Sequence, residues 1–355
     1  MQKRITFPFF NALICALLGG LVGYYGFRFW EGAGIAAAAG LALGLGFEWG
    51  FGLAGVGSWL YQRRVLALTL LEVPLTIFFA GPYGLMWLQV APDPHVICCG
   101  IPTDFGAAVY EDFRLEVDEG VTLAGWYVPP AETPGPVVVL LHGSRSDRLD
   151  TRWHAEQLIR AGYGILMYDQ RGLGESTGNK VTVGWEDGGD LVAAADWLAA
   201  WPGVDADRIG VVGLSLGAQV ALNAAHEDQA AFAALWLDGT QAQTETDLPM
   251  AENAGERFAT FMNRILFNIL ELHLGRPAPP PFKEILPGLT GPHIVMVAAG
   301  ADDVERRINA GYVPLMGPNF EYWLIEGAGH LGGPSLIPEA YAGRMLAFFD
   351  GVLRP

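Results

Sequence analysis

Charged side chains are scarce in this chain of 355 residues. Asp, Glu, Lys and Arg make up 17% of it, whereas hydrophobic residues make up 51%. A water-soluble globular chain usually carries about 25% charged residues. The shortage argues against a wholly soluble protein and indicates that part of the chain lies in lipid.

Basic residues are the rarer charge, and their distribution is uneven. Residues 1–91 hold five Lys or Arg against three acids, a net charge of +2. Residues 92–355 hold 16 basic against 35 acidic residues, a net charge of −19. A domain this acidic repels phosphate backbones and anionic lipid surfaces. We therefore expect no nucleic-acid partner.

Cysteine is also rare, with one residue in an apolar run (Cys15) and two adjacent residues (Cys98 and Cys99). Three cysteines supply neither a disulfide framework nor a zinc ligand set, so no metal site is expected. The favoured interpretation is small buried or juxtamembrane thiols. A cytosolic position would make the adjacent pair a candidate for palmitoylation.

Long apolar runs, in contrast, are abundant before residue 91. Three of them are long enough to cross a bilayer as helices: 7–27, 33–60 and 65–90. We expect residues 1–91 to form an all-α transmembrane bundle that anchors the protein in the lipid bilayer. A cleaved signal peptide is disfavoured, because the first run is too long and more apolar segments follow. The acids Glu48 and Glu72 inside these runs are either functional or structural, and the sequence leaves both open.

The distribution of Lys and Arg predicts how this multi-pass membrane protein is oriented. Lys3 and Arg4 precede the first span, and Arg63 and Arg64 lie between the second and third spans. Basic residues favour the cytoplasmic side. The large domain is then extracytoplasmic, or cytoplasmic if the second stretch does not span.

A different pattern begins after a Pro-containing linker at 92–103. Over residues 104–355, short apolar strands alternate with helical patterns, which indicates an α/β fold with a mostly parallel central sheet flanked by helices. The strand candidates are 113–117, 121–128, 137–141, 164–168, 209–212, 232–237, 293–298 and 322–325. Residues 241–291 interrupt the alternation and are predicted to form a small helical cap. Its helix could alternatively face the membrane.

A G-x-S-x-G motif lies at Gly213–Gly217, directly after one strand candidate and directly before a helical pattern. A strand, tight turn and helix in this order hold the serine in a strained conformation, with its hydroxyl raised above the sheet. Ser215 is therefore the candidate nucleophile.

A serine hydroxyl needs a base to take its proton, and the base needs a carboxylate to orient it. His330 is the candidate base, since it follows the last strand candidate through a glycine-containing loop. The loop after strand 293–298 contains two aspartates. Asp303 is preferred as the acid, with Asp302 as the alternative.

The oxyanion of an acyl-transfer intermediate needs two backbone N–H donors. Leu216, which follows the nucleophile, is one candidate. The other is Ser144, in the loop after strand 137–141. His142 in the same loop is interpreted as a residue that shapes the loop.

Residues from about 103 to 355 resemble the α/β-hydrolase superfamily, especially membrane-anchored BEM46-like serine hydrolases. The resemblance rests on His142-Gly143, the D-x-R-G-x-G-x-S motif at Asp169–Ser176, the serine motif, the G-x-x-D loop at Asp303, and Gly329-His330. The resemblance implies an ester, thioester or amide substrate, a covalent acyl-enzyme and no cofactor. It specifies neither the natural substrate nor the oligomeric state.

Taken together, these patterns predict a membrane-anchored serine hydrolase that cleaves a carboxylic ester of an apolar acyl group. The alternative is a non-catalytic membrane protein that uses the same fold for binding, because fold alone does not fix function.

Overall fold

The computed structural model describes residues 74–354. The described residues divide into two units, one of residues 74–88 with 250–277 and one of residues 89–249 with 278–354. We call the first the helical unit and the second the sheet unit.

The sheet unit is built on eight strands. They are β1 (Glu111–Asp118), β2 (Val121–Val128), β3 (Gly135–Leu141), β4 (Gly164–Asp169), β5 (Val204–Leu214), β6 (Ala234–Asp238), β7 (His293–Ala299) and β8 (Phe320–Ile325). Their order across the sheet is β8-β7-β6-β5-β3-β4-β2-β1. Strand β2 pairs antiparallel with both β1 and β4, and all the other pairings are parallel. The predicted mostly parallel sheet is confirmed.

Nine α-helices are described, two of them only four residues long. They are α1 (Gly81–Val90), α2 (Arg152–Arg160), α3 (Asp187–Ala199), α4 (Leu216–Glu227), α5 (Ala254–Leu274), α6 (Phe282–Ile285), α7 (Asp303–Tyr312), α8 (Gly333–Leu336) and α9 (Pro338–Leu353). A π-helix at Thr76–Ala80 precedes α1. The helices between strands supply the crossovers that parallel pairing requires.

Both faces of the sheet are buried, which explains why its central strands are apolar without alternation. In β3, Val137, Val139 and Leu141 belong to one hydrophobic cluster, which also contains residues of α3, α4 and α7. Val138 and Leu140 belong to a second cluster, which contains residues of α2 and α9. The carboxyl ends of these strands therefore form a rigid edge on which side chains can be positioned.

The segment at 92–103, predicted as a linker, is held against the sheet unit. Residues 93–94 pair in parallel with residues 173–174. Arg145 donates hydrogen bonds to the Ala91 carbonyl (3.1 Å) and to Asp93 (3.3 Å). Cys98 and Cys99 are both exposed, so the interpretation as buried thiols is wrong, while the juxtamembrane interpretation stays a prediction.

The described part of the helical unit comprises residues 74–88 and 250–277. Phe78 and Phe261 meet edge to face with 5.9 Å between ring centroids, and Trp87 and His273 do so at 5.7 Å. The predicted cap at 241–291 thus corresponds to a shorter helical segment, while residues 241–249 and 278–291 belong to the sheet unit. A role for this segment as a lid stays a prediction.

The predicted spans at 7–27 and 33–60 lie outside the described residues, as do Glu48, Glu72 and the first part of the span at 65–90. Within residues 74–354, no helix is both long enough and apolar enough to cross a bilayer.

Candidate active site

Ser215 lies between the end of β5 and the start of α4, as the sequence predicts. Its backbone has φ 53° and ψ −108°, which is an uncommon conformation for a residue with a side chain. Its N–H donates to the Asp238 carbonyl oxygen at 2.8 Å. The turn is therefore held in place from the neighbouring strand β6.

The two glycines of the serine motif are required by close approaches of the backbone. A Cβ atom on Gly213 would lie 2.5 Å from the Gly217 carbonyl oxygen. A Cβ atom on Gly217 would lie 2.5 Å from the Leu141 carbonyl oxygen. Neither position has room for a side chain, because Gly213 lies against the first turn of α4 and Gly217 lies against strand β3.

His330 reaches Ser215 from the loop that follows β8. Its Nε2 atom lies 2.9 Å from Ser215 Oγ, and its Nδ1 atom lies 2.5 Å from Glu305 Oε2. Since Nδ1 faces a carboxylate, we assign the ring proton to Nδ1, which leaves Nε2 to accept the serine hydroxyl proton. The arrangement is a Ser–His–Glu triad.

Opposing influences act on the pKa of His330. Partial burial disfavours the charged ring and acts to lower the pKa. The hydrogen bond to Glu305 and the nearby carboxylates of Glu305, Asp238 and Asp302 act to raise it, and together they prevail. The pKa of His330 is therefore raised, so the imidazolium form is stabilised.

The prediction of Asp303, or alternatively Asp302, as the triad acid does not match the structure. Asp303 is 55% exposed and pairs with Arg306. Asp302 caps α7 and accepts hydrogen bonds from the Val304 and Glu305 N–H groups, both at 3.0 Å. Neither aspartate contacts His330.

Glu305 takes the acid position because of where it lies on α7. It is fully buried, and so are Ile308, Asn309 and Tyr312, which are spaced three, four and seven residues further on. These residues form the inward face of the helix. Glu305 Oε1 also accepts the Ala299 N–H at 2.7 Å. The helical spacing of the buried residues was the signal in the sequence that could have identified this glutamate.

The loop after β3 runs beside the nucleophile. A Cβ atom on Gly143 would lie 3.6 Å from Ser215 Cβ. Among residues 74–354, neither the Ser144 N–H nor the Leu216 N–H has a hydrogen-bond acceptor. Two backbone donors are thus left unpaired, one directly after Ser215 in the chain and one in the loop that passes Ser215. The oxyanion-hole assignments of Ser144 and Leu216 stay predictions.

His142 lies inside the protein, away from solvent. The Gln170 N–H donates to its Nε2 atom at 2.9 Å, and burial lowers its pKa. A neutral ring fixed in this way shapes the loop. Within the described residues, no group of three or more His, Cys, Asp or Glu side chains is arranged to hold a metal ion.

Comparisons with known proteins give partial matches in sequence. The family model of the X-Pro dipeptidyl-peptidases (S15 family) matches residues 119–248. An uncharacterized protein of Mycobacterium tuberculosis is 36% identical over 115 residues, which cover 32% of this chain and 40% of that protein. Lysophosphatidylserine lipase ABHD12 of Gallus gallus is 28% identical over 193 residues, which cover 47% of this chain and 49% of that protein. The chain thus spans less than half the length of these relatives.

Solved structures match a larger part of the chain. The esterase Pf2001 of Pyrococcus furiosus superposes with a TM-score of 0.59 at 24% identity, covering 75% of this chain and 99% of that one. The α/β-hydrolase GrgF of Penicillium sp. sh18 gives a TM-score of 0.55 at 19% identity, covering 70% and 100%. Similarity at these identities shows the fold alone.

The chain has the fold of the α/β-hydrolases. The predicted resemblance is confirmed at this level, and the eight strands with their antiparallel second strand are those of an α/β-hydrolase.

The D-x-R-G-x-G-x-S motif takes part in an ionic cluster that is largely buried. Asp169 Oδ2 lies 2.7 Å from Arg148 Nη2, and the same guanidinium nitrogen lies 2.7 Å from Glu175 Oε2. Ser176 Oγ donates to the Asp169 carbonyl oxygen and accepts the Ala124 N–H. The motif therefore joins the loops after β3 and β4 to strand β2, and its role is structural.

A further acid, which the sequence did not indicate, lies beside the triad. Asp238 ends β6, is buried, and accepts the Tyr341 hydroxyl proton at 2.6 Å. Tyr341 in turn accepts the Trp236 Nε1–H at 2.8 Å. Burial raises the pKa of Asp238 to about 7, although the Tyr341 hydrogen bond opposes the change.

Proposed function

We propose that this protein of α/β-hydrolase fold is a serine acyl hydrolase that cleaves a carboxylic ester, thioester or amide through an acyl-enzyme on Ser215. The observation that carries the proposal is the continuous contact from Ser215 Oγ to His330 (2.9 Å) and from His330 to the buried Glu305 (2.5 Å). This geometry gives the serine a base and gives the base an orienting carboxylate.

In the proposed reaction, Ser215 Oγ attacks the substrate carbonyl carbon while His330 Nε2 takes the hydroxyl proton. Glu305 stabilises the imidazolium that forms and does not itself take the proton. His330 then returns the proton to the leaving group, which leaves an acyl group on Ser215. Water, activated by the same histidine, hydrolyses the acyl-enzyme.

The negative charge of the tetrahedral intermediate needs donors that are already in place. The unpaired N–H groups of Leu216 and Ser144 are our candidates. Loss of one such donor typically lowers kcat by about 10²- to 10³-fold. Both donors belong to the backbone, so side-chain substitutions leave them intact, and the proposal is tested through the triad instead.

The first test is labelling of the purified full-length protein with a fluorophosphonate, which reacts with activated serines. We expect the parent to be labelled and Ser215→Ala to be unlabelled, with circular dichroism to show that both are folded. Ser335→Ala is the matched control and should label like the parent. A folded parent that resists the probe would contradict the proposal and favour the non-catalytic binding protein.

For the substrate, we propose an apolar acyl ester. One supporting point is the apolar stretches of residues 1–91, which would hold the enzyme at a bilayer. Another is that one relative is named a lysophosphatidylserine lipase and that the superposing Pf2001 is an esterase. Lysophospholipids, short p-nitrophenyl esters and Xaa-Pro anilides should be compared on one preparation. Much faster cleavage of the short esters or of the Xaa-Pro anilides would refute the apolar substrate.

Membrane anchoring is part of the same proposal. On residues 74–90, the exposed apolar side chains Leu75, Phe79, Tyr83 and Trp87 recur at every fourth position. Such a stripe suits a hydrocarbon or interfacial environment. We expect the protein to stay in the membrane fraction after an alkaline carbonate wash, and protease protection to place the sheet unit outside the cytoplasm. Release by the wash would refute the anchor.

A further inference from the structure

Two adjacent cysteines lie on the surface of the sheet unit, in a short segment that is fixed on both sides. On the amino-terminal side, the His95 N–H donates to the Gly174 carbonyl oxygen at 2.8 Å. On the carboxyl-terminal side, the Ile101 N–H donates to Asp104 Oδ2 at 3.0 Å, and Phe105 is buried. The cysteine pair is therefore held on a defined surface.

The backbone brings the two thiols together. In an extended chain, adjacent side chains point to opposite sides. Cys99 has φ 75°, in the left-handed region, and this bend places the Sγ atoms of Cys98 and Cys99 2.7 Å apart. Both side chains are exposed, so an oxidant in solution can reach them.

The two thiols also influence each other electrostatically. The hydrogen bond to Cys99 raises the pKa of the Cys98 thiol, with smaller contributions from the charges of Cys99 and Asp147. The raised pKa lowers the fraction of Cys98 that is thiolate, so the exchange should be slow near pH 7 and faster at higher pH.

We propose that Cys98 and Cys99 form a reversible redox site that closes to a disulfide between adjacent residues by exchange with a low-molecular-weight disulfide. One thiolate attacks the disulfide of the oxidant and releases one thiol. The other thiolate then attacks the mixed disulfide and releases the second thiol. Two protons and two electrons pass from the pair to the oxidant, which is reduced to two thiols.

This site is independent of the proposed hydrolysis, because neither cysteine is part of the triad. The extracytoplasmic position expected from the distribution of Lys and Arg would place the pair in an oxidising compartment. The opposite orientation would expose it to a reducing one, where the dithiol form would predominate.

The test uses full-length protein carrying Cys15→Ser, so that only the pair remains. Reduced protein is incubated with glutathione disulfide, and its intact mass and free thiols are measured. We expect loss of both thiols with a mass lower by two hydrogens and no glutathione retained. Dithiothreitol should restore both thiols.

Cys98→Ser and Cys99→Ser are the matched controls, each in the same background. Each should retain one glutathione as a mixed disulfide, because no neighbouring thiol can displace it. Phenylarsine oxide, which binds two thiols at once and releases water, should protect the pair from alkylation in the parent but not in either single variant. Retained glutathione, a disulfide-linked dimer or two unreacted thiols in the parent would each overturn the proposal.

Discussion

Two polar clusters lie at the carboxyl edge of the same sheet, and they differ in how completely their hydrogen bonds are satisfied. In the arginine cluster (Arg148, Asp169 and Glu175), Asp169 Oδ1 accepts from the Arg148 N–H and Nε–H groups, and Oδ2 accepts from Arg148 Nη2 and from the Glu175 N–H. The Arg148 and Asp169 side chains are 1% and 0% exposed.

The triad cluster (Ser215, His330 and Glu305) is buried at one end and open at the other. The side chain of Glu305 is fully buried, whereas that of His330 is 36% exposed. A cluster whose charges pair with one another away from solvent fixes loops, because loss of Arg148 or of Asp169 leaves a buried charge unpaired. A cluster that is open at its serine end can receive a substrate. Substitutions in the arginine cluster should therefore change the stability of the protein. Substitutions in the triad cluster should change its activity.

The largest expected effect is that of Glu305→Gln on activity. The amide keeps the size of the side chain and can still accept the Ala299 N–H, but it cannot stabilise the imidazolium. We expect fluorophosphonate labelling and ester hydrolysis to slow by about 10⁴-fold, the effect seen when the acid of a Ser–His–Asp triad becomes an amide.

Asp303→Asn is the matched control for that variant, because it lies on the same helix turn and is exposed to solvent. Its labelling rate should equal that of the parent. If Asp303→Asn lost most of its labelling rate while Glu305→Gln stayed active, Asp303 would be the acid of the triad, as predicted from the sequence. Glu305 would then not be part of the triad.

The second-largest expected effect is a loss of stability when the arginine cluster is changed. Arg148→Met removes the charge that faces Asp169 and leaves a buried carboxylate without its partner. We expect a loss of about 3–5 kcal/mol in the free energy of unfolding, measured by urea denaturation. The labelling rate per folded molecule should change little.

Arg160→Met is the matched control, because Arg160 pairs with Glu156 at the surface. An exposed pair of this kind contributes about 1 kcal/mol or less. Equal losses for the two arginine variants would show that burial does not distinguish these ion pairs.

Asp238 shares one feature with each cluster. It is buried, as the arginine cluster is, and it is adjacent to the triad. Its pKa is raised to about 7, so the folded protein holds a proton that the unfolded chain releases near its ordinary value of 3.8. The resulting stability is fully present below that ordinary value and is lost as pH rises through about 7. A shift of this size corresponds to roughly 4 kcal/mol.

Asp238→Asn should therefore reduce the fall in stability between pH 5 and pH 8, measured by urea denaturation at both values. The amide can still accept the Tyr341 hydroxyl proton. Tyr341→Phe is the companion variant. It removes the hydroxyl that donates to Asp238 and favours its ionisation, so the pKa of Asp238 should rise further. The free energy of unfolding should then fall more between pH 5 and pH 8 than in the parent. A pH dependence in Asp238→Asn equal to that of the parent would show that this acid is ionised throughout the range.

These comparisons also show which features the sequence could predict. Ser215 and His330 were predictable because each is tied to a local pattern, a glycine-flanked turn after a strand and a glycine-containing loop after the last strand. The acid was not, because the choice among residues 302, 303 and 305 depends on which side of α7 faces the core. The exposure of Cys98 and Cys99 also depends on contacts that hold residues 91–101 to distant loops.

The smallest expected effect concerns the acid that caps α7. Asp302→Ala removes a side chain that accepts two backbone N–H groups, and it should cost about 1 kcal/mol in the free energy of unfolding. Asp302→Asn should restore most of that loss, since asparagine caps helices equally well. Labelling of Ser215 should stay near the parent rate in both variants, because Asp302 positions the helix that carries Glu305 and does not contact His330. Strongly reduced labelling in a stable Asp302→Asn variant would show instead that the charge of Asp302, a minor contribution to the raised pKa of His330, is needed for activity.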